Sequence, residues 1–115
     1  MATANIICVE GSDLDGAPSA ILRIDNRGSV GSLEQDLTQC FTALSSVPGD
    51  PGELAAAVCT FYDSTMSTVD VSVAMEADWD ASTMVMLSTE RSGGMPVGQV
   101  LIPSTGDVSP LDLGV

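Results

Sequence analysis

The first part of the chain alternates short apolar runs with polar loops, which predicts two strands. Residues 5–10 form one run rich in β-branched side chains, and residues 19–25 form another. The stretch between them is rich in Gly and Asp and contains Pro18, as is typical of a loop. We therefore expect the two strands to pair as an antiparallel hairpin with a wide loop.

The next segment has the periodicity of a helix. Ser32 is followed by Gln35 three positions later, which is the spacing of a capping box and predicts a helix beginning at Ser32. Apolar residues then recur with a period close to 3.6, as expected for one buried helix face. These residues are Leu33, Leu37, Cys40, Phe41 and Leu44.

A second helix is predicted shortly afterwards. Asp50 is suited to the N-cap, Pro51 to the first helical position and Glu53 to the first turn. The short connection between the helices predicts an antiparallel pair. The apolar face of the second helix consists of Leu54, Val58, Phe61, Tyr62 and Met66.

The last part of the chain returns to strand patterns. In residues 69–76, Val or Met at every second position alternates with polar or small residues, which predicts a half-buried strand. Residues 82–90 contain four contiguous apolar positions, Met84 to Leu87. Such a run indicates either a central strand or a strand with one face held for a partner. Residues 97–102 predict a final strand.

These elements predict an α+β fold with the order β-β-α-α-β-β-β. We expect an antiparallel sheet of about five strands with a central antiparallel helix pair packed on one face. Residues 1–102 are expected to form a single domain. Residues 103–115 carry two Pro and two Gly with little periodicity, which predicts an extended C-terminal tail or arm.

The charge inventory excludes several classes of function. The 115 residues include 16 Asp and Glu against 3 Arg, with no Lys and no His, and the formal net charge is −13. Without His or Lys, the chain lacks an imidazole base, an imidazole metal ligand and a Schiff-base amine. Its charge disfavours nucleic acid and anionic membranes as partners. We therefore expect a protein that is not an enzyme. The excess of acid would also suit a halophilic host.

No cofactor or metal site is predicted. Cys8, Cys40 and Cys59 have no CxxC spacing, so we expect reduced, mostly buried thiols rather than a zinc site or a disulfide framework. Residues 13–16, Asp-Leu-Asp-Gly, lack the later ligands of a calcium loop and are interpreted as a hairpin loop. Residues 92–94, Ser-Gly-Gly, precede no helix and are interpreted as a turn rather than a phosphate site.

Four residues are candidates for a protein interface. Trp79 lies between Asp78 and Asp80, where it would form either a hairpin tip packed on the sheet or a binding contact. Acid–base chemistry by the two flanking carboxylates is a further alternative. Met84, Met86 and Met95 cluster in the last strands, where they would fill the core or a subunit interface.

We therefore expect a structural or assembly protein that forms a homo-oligomer and binds a larger assembly. The general profile resembles that of small virion proteins, such as capsid decoration or head–tail connecting subunits. That resemblance implies that the protein is made in the host cytoplasm and then becomes part of the virion. The alternative is that it stays in the cytoplasm.

No signal peptide or membrane span is visible in the sequence. Two other functions stay open: an acidic inhibitor or nucleic-acid mimic that binds a basic groove, and a small acidic secretion-type chaperone.

Overall fold

The computed structural model describes residues 3–10, 20–44, 48–66, 68–92 and 95–113. Within these ranges the chain forms six strands and two helices in the predicted order, with one strand added at the end. The elements are β1 (Thr3–Val9), β2 (Ala20–Asp25), α1 (Val30–Thr42), α2 (Pro51–Thr65), β3 (Asp70–Val73), β4 (Thr83–Ser92), β5 (Met95–Ile102) and β6 (Asp107–Pro110).

The strands form one mixed sheet in the order β3-β2-β1-β4-β5-β6. β1 and β2 pair antiparallel as predicted, but β1 and β4 run parallel, with Ala4 opposite Thr83. The prediction of a purely antiparallel sheet was therefore wrong. The apolar pattern shows which faces of a strand are buried but not the direction of its neighbour. β4 does occupy a central position, between β1 and β5, as its contiguous apolar run allowed.

Among the described residues the sheet has six strands rather than about five. The additional strand, β6, lies within the segment that the sequence assigned to an extended tail, and it pairs antiparallel with β5. Residues 103–106 form the connecting turn, in which Gly106 has a φ of 76°. The pattern did not reveal β6 because all four of its residues are exposed and it therefore lacks a buried face.

The two helices begin at polar caps. α2 begins as predicted: Asp50 is the N-cap, and its carboxylate accepts a 3.1 Å hydrogen bond from the Glu53 amide. α1 begins earlier than predicted, because its N-cap is Ser29 rather than Ser32. The Ser32 amide instead donates to the Ser29 hydroxyl. Neither helix of the described part of the chain has the length and apolar character needed to cross a membrane.

Both helices contribute to the main core on one face of the sheet. Their buried residues include Leu37, Phe41, Leu54, Val58 and Tyr62. The sheet residues that meet them point to the helix side because alternate residues of a strand share a face. These residues are Ala4, Ile6, Cys8, Leu22, Ile24, Val85, Leu87 and Val100.

A smaller apolar cluster lies on the other face of the sheet. It consists of Ile7, Val9, Ile21 and Met84, with Ala74, Ala77, Met86 and Leu101 partly buried against it. Ala74 and Ala77 belong to the connection between β3 and β4. This connection therefore packs against the sheet face that the helices leave uncovered.

Candidate interaction surface

The β3–β4 connection is held in place by a buried asparagine. Asn5 is fully buried, and its side-chain oxygen accepts a 2.6 Å hydrogen bond from the backbone amide of Asp78. At the two ends of the connection, the Ala74 amide donates to the Ile21 carbonyl and the Ser82 amide donates to the Thr3 carbonyl, at 2.9 and 2.8 Å. The connection is thus anchored at its middle and at both ends.

Two large apolar side chains project from this anchored connection into solvent. Met75 is 96% exposed and Trp79 is 68% exposed. We call these two side chains the Met75–Trp79 surface. The backbone beneath Trp79 is a turn, in which the Asp80 amide donates a 3.0 Å hydrogen bond to the Asp78 carboxylate. An exposed Trp on a fixed backbone can bury much apolar area on binding, and little conformational entropy is lost in ordering it.

The two carboxylates beside Trp79 are poorly placed for acid–base catalysis. Asp80 is exposed, and the Asp78 carboxylate lies 3.9 Å from the Arg23 guanidinium. Arg23 also pairs with Asp25 at 3.1 Å. A general acid of the glycosidase type needs a desolvated carboxyl group, and neither side chain here is enclosed. The geometry supports a role for Asp78 in shaping the turn.

The three candidate methionines differ in accessibility. Met84 is only 2% exposed and lies in the smaller cluster behind the sheet, so a partner cannot reach it in this fold. Met86 is partly buried against the same cluster, and Met95 is partly buried against the main core. Trp79 is therefore the most accessible of the four residues singled out in the sequence.

Sequence reasoning missed Met75. It stands in the alternating stretch 69–76, where the pattern predicts an inward-facing residue. In the structure β3 ends at Val73, so the alternation no longer determines where Met75 points. No signal in the pattern distinguishes this early end of the strand.

A polar cluster lies at the contact of the two helices. Arg27 donates two hydrogen bonds to the Asp36 carboxylate, at 2.8 and 2.7 Å, and the Tyr62 hydroxyl donates a third at 2.9 Å. Burial and then the neighbouring Asp36 charge raise the pKa of Tyr62, while the hydrogen bond to Asp36 raises the pKa of Arg27. Every buried side-chain N or O atom in the described ranges has a partner. The polar groups of this cluster are therefore all hydrogen-bonded. The cluster joins α1 to α2 and to the segment that precedes α1.

The three thiols are not activated. Burial raises the pKa of Cys8 to about 12 and that of Cys40 to about 11. Burial and then the charge of Asp63 also raise the pKa of Cys59. Since the thiolate is the reactive form, all three are weak nucleophiles at neutral pH.

Among the residues that the structure describes, no group of three or more Cys, Asp and Glu side chains could hold a metal ion. The acidic loop at residues 13–16 lies outside the described residues, as do Gly93 and Gly94. Comparisons with protein-family models, with curated proteins and with solved structures found no match.

Proposed function

We propose that this chain is a structural assembly protein that self-associates and takes its place in a larger protein assembly. The observation that supports the proposal is the Met75–Trp79 surface: two large apolar side chains held in solvent by a segment anchored on Asn5. Trp is enriched among the residues that dominate interface energies, and Met adapts readily to a partner's shape.

The charge of the chain shapes this self-association. A net charge of −13 makes copies repel one another at long range, but salt screens that repulsion within about 10 Å at 0.1 M and about 3 Å at 1 M. An apolar contact strengthens as repulsion is screened. The proposed oligomer therefore persists from low to high salt and is favoured at high salt.

The specific form of the proposal is a virion subunit of the capsid decoration or head–tail connecting type, present as a trimer or larger closed oligomer. The absence of His and Lys from the sequence supports a role without catalysis. The small size and acidic surface suit a protein that must remain dispersed before it is incorporated.

The test is size-exclusion chromatography with light scattering in about 0.1 M and about 2 M KCl. The unchanged chain is compared with the double variant Met75→Ser/Trp79→Ser. The control variant is Val108→Ser, which replaces another exposed apolar side chain, on β6. We expect the unchanged chain and Val108→Ser to be oligomers at both salts and the double variant to be a monomer. A monomeric unchanged chain at both salts would contradict the proposal.

A further inference from the structure

An apolar groove of about 340 Å³ lies on the helix side of the sheet, between α2 and the β2–β3 edge. Its α2 wall is made of small side chains, which leave the space between the helix and the strands unfilled. The groove is lined by Gly52, Ala55, Ala56, Cys59 and Thr60 of α2 and by Ala20, Ile21, Leu22 and Val73 of the strands.

Val73 forms the outer lip of this groove. Its neighbour two positions earlier, Val71, packs against the main core, so both side chains lie on the helix face of β3. Val73 nevertheless remains 78% exposed. A groove with an exposed apolar lip can take up an apolar side chain from outside.

Among the described residues, no strand pairs with the outer edge of β3 beside the same groove. β3 is the terminal strand of the sheet among the residues that the structure describes. The Ala74 amide points inward, to the Ile21 carbonyl. Because the backbone groups of a strand alternate in direction, those of Val71 and Val73 point outward. An extended segment can therefore pair with β3 and place alternate side chains in the groove.

Both charged residues within α2 are acidic. Glu53 and Asp63 lie on the α2 side, and the Cys59 thiol, which lines the groove, is 3.8 Å from the Asp63 carboxylate. Asp70 of β3 is also exposed, and because it alternates with Val71 its side chain lies on the face of the sheet opposite the groove. Exposed carboxylates therefore lie on both sides of the β3 edge.

Two of the three arginines, Arg23 and Arg27, are engaged in other ion pairs. Arg23 pairs with Asp25 and Asp78, and Arg27 pairs with Asp36. A second copy of this chain would bring further negative charge to the same place, at −13 per chain. Charge complementarity therefore favours a cationic partner.

We propose that the groove and the outer edge of β3 bind an extended segment of another protein, in which basic side chains alternate with apolar ones. The segment adds a seventh strand beside β3. Its apolar side chains enter the groove past Val73. Its basic side chains alternate with these and therefore face the other side of the sheet, where they meet Asp70, while Glu53 and Asp63 add negative potential beside the groove. The inference extends the proposed assembly function by giving the chemistry of a partner, and it uses a surface separate from Met75 and Trp79.

The probe is an acetylated peptide of about nine residues in which lysine alternates with valine, long enough to cover a short strand. Binding to the full chain is followed by amide chemical shifts and by titration. We expect the largest shifts at Val71, Val73 and the α2 residues of the groove. Two control peptides carry glutamate in place of lysine, or proline at alternate positions, and neither should bind.

Matched variants locate the contact. Val73→Ser should weaken binding at least about fivefold, whereas the same change at Val108 on the opposite edge strand should leave it unchanged. Ala56→Gln, on the exposed wall of the groove, should weaken binding through its bulk. The double variant Glu53→Gln/Asp63→Asn should reduce the dependence of binding on salt.

Three results would overturn the inference: no binding of the lysine peptide, equal binding of the glutamate or proline peptide, or equal loss with the Val73 and Val108 variants. Loss of the oligomer in Val73→Ser would assign the groove to contacts between copies and would also overturn it. A failure of the proposed self-association can be distinguished from a failure of peptide binding. The variant Met75→Ser/Trp79→Ser, which should not self-associate, should still bind the peptide like the unchanged chain.

Discussion

The Tyr62 hydroxyl donates a 2.9 Å hydrogen bond to the Asp36 carboxylate, which joins α2 to α1 through the interior of the main core. The Asp36 side chain is 2% exposed and also accepts two hydrogen bonds from Arg27. A buried carboxylate is expensive unless its oxygens are fully paired. The stability of the helix layer therefore depends on each of these partners.

Tyr62→Phe should destabilise the fold by about 1.5–3 kcal/mol, because it removes one hydrogen bond to a buried charged group with little change of volume. Asp36→Asn should destabilise it more, by about 3–5 kcal/mol, since it leaves Arg27 without its charged partner. Urea unfolding followed by circular dichroism measures both. Equal stabilities of Tyr62→Phe and the unchanged chain would contradict the role assigned to the hydroxyl.

Stability should fall as the pH rises above about 9. Burial raises the pKa of Cys8 from 9.0 to about 12 in the folded chain. In this range the unfolded chain loses the thiol proton while the folded chain keeps it, so unfolding becomes more favourable as pH rises. Each such group contributes up to about 1.4 kcal/mol per pH unit. Below the unfolded pKa, its contribution to stability is constant.

Urea unfolding at about pH 8 and about pH 10.5 checks this dependence. The variant Cys8→Ala should lose part of the decline, since one buried thiol is removed. An identical decline in Cys8→Ala would mean that other groups account for it.

Two glycine substitutions should have opposite effects. A Cβ at Gly98 would collide with the Met86 carbonyl oxygen and crowd the Leu111 side chain. Gly98→Ala should therefore destabilise the fold by about 1–3 kcal/mol. A Cβ at Gly31, inside α1, meets nothing within 4 Å, so Gly31→Ala should stabilise by about 0.4–1 kcal/mol. Thermal unfolding compares the two, and a stabilising Gly98→Ala would refute the close packing of β4 and β5.

Asn5→Ala should release the β3–β4 connection. The Asp78 amide loses its acceptor, which should reduce stability by about 1–3 kcal/mol and speed hydrogen exchange at Asp78. A half-buried amide on β5, Gln99, provides the control variant Gln99→Ala. Hydrogen exchange at Asp78 that is unchanged in Asn5→Ala would show that the connection is held by other contacts.

The strand and helix patterns predicted the elements better than their arrangement. The period-3.6 pattern from Leu33 and the Asp50-Pro51 cap located both helices, because burial and capping are local properties. The parallel pairing of β1 with β4 depends on residues far apart in sequence, and no local pattern reports it. β6 was missed because all four of its residues are exposed, so it carries no apolar signal.

The candidate surface was predicted in part. Trp79 was singled out because it is a lone aromatic between acids, and it is exposed in the structure. Met84 was singled out because it clusters with Met86 and Met95 in the last strands, but it packs in the smaller cluster with Ile7, Val9 and Ile21. Met75 and the groove at Val73 result from the early end of β3 and from the spacing between α2 and the sheet edge. Both are tertiary features that sequence periodicity does not encode.

The parallel pairing of β1 with β4 also constrains how the chain folds. β1 is central in the sheet, yet one of its two neighbours is formed by residues 83–92, late in the chain. Contacts between such distant segments require closure of a long loop before they stabilise anything, which slows folding. During synthesis, β1 and β2 therefore emerge from the ribosome well before the sheet can be completed. Nascent chains that end before residue 83 should lack a cooperative core, and the sheet should form only after residues 83–92 have been synthesised.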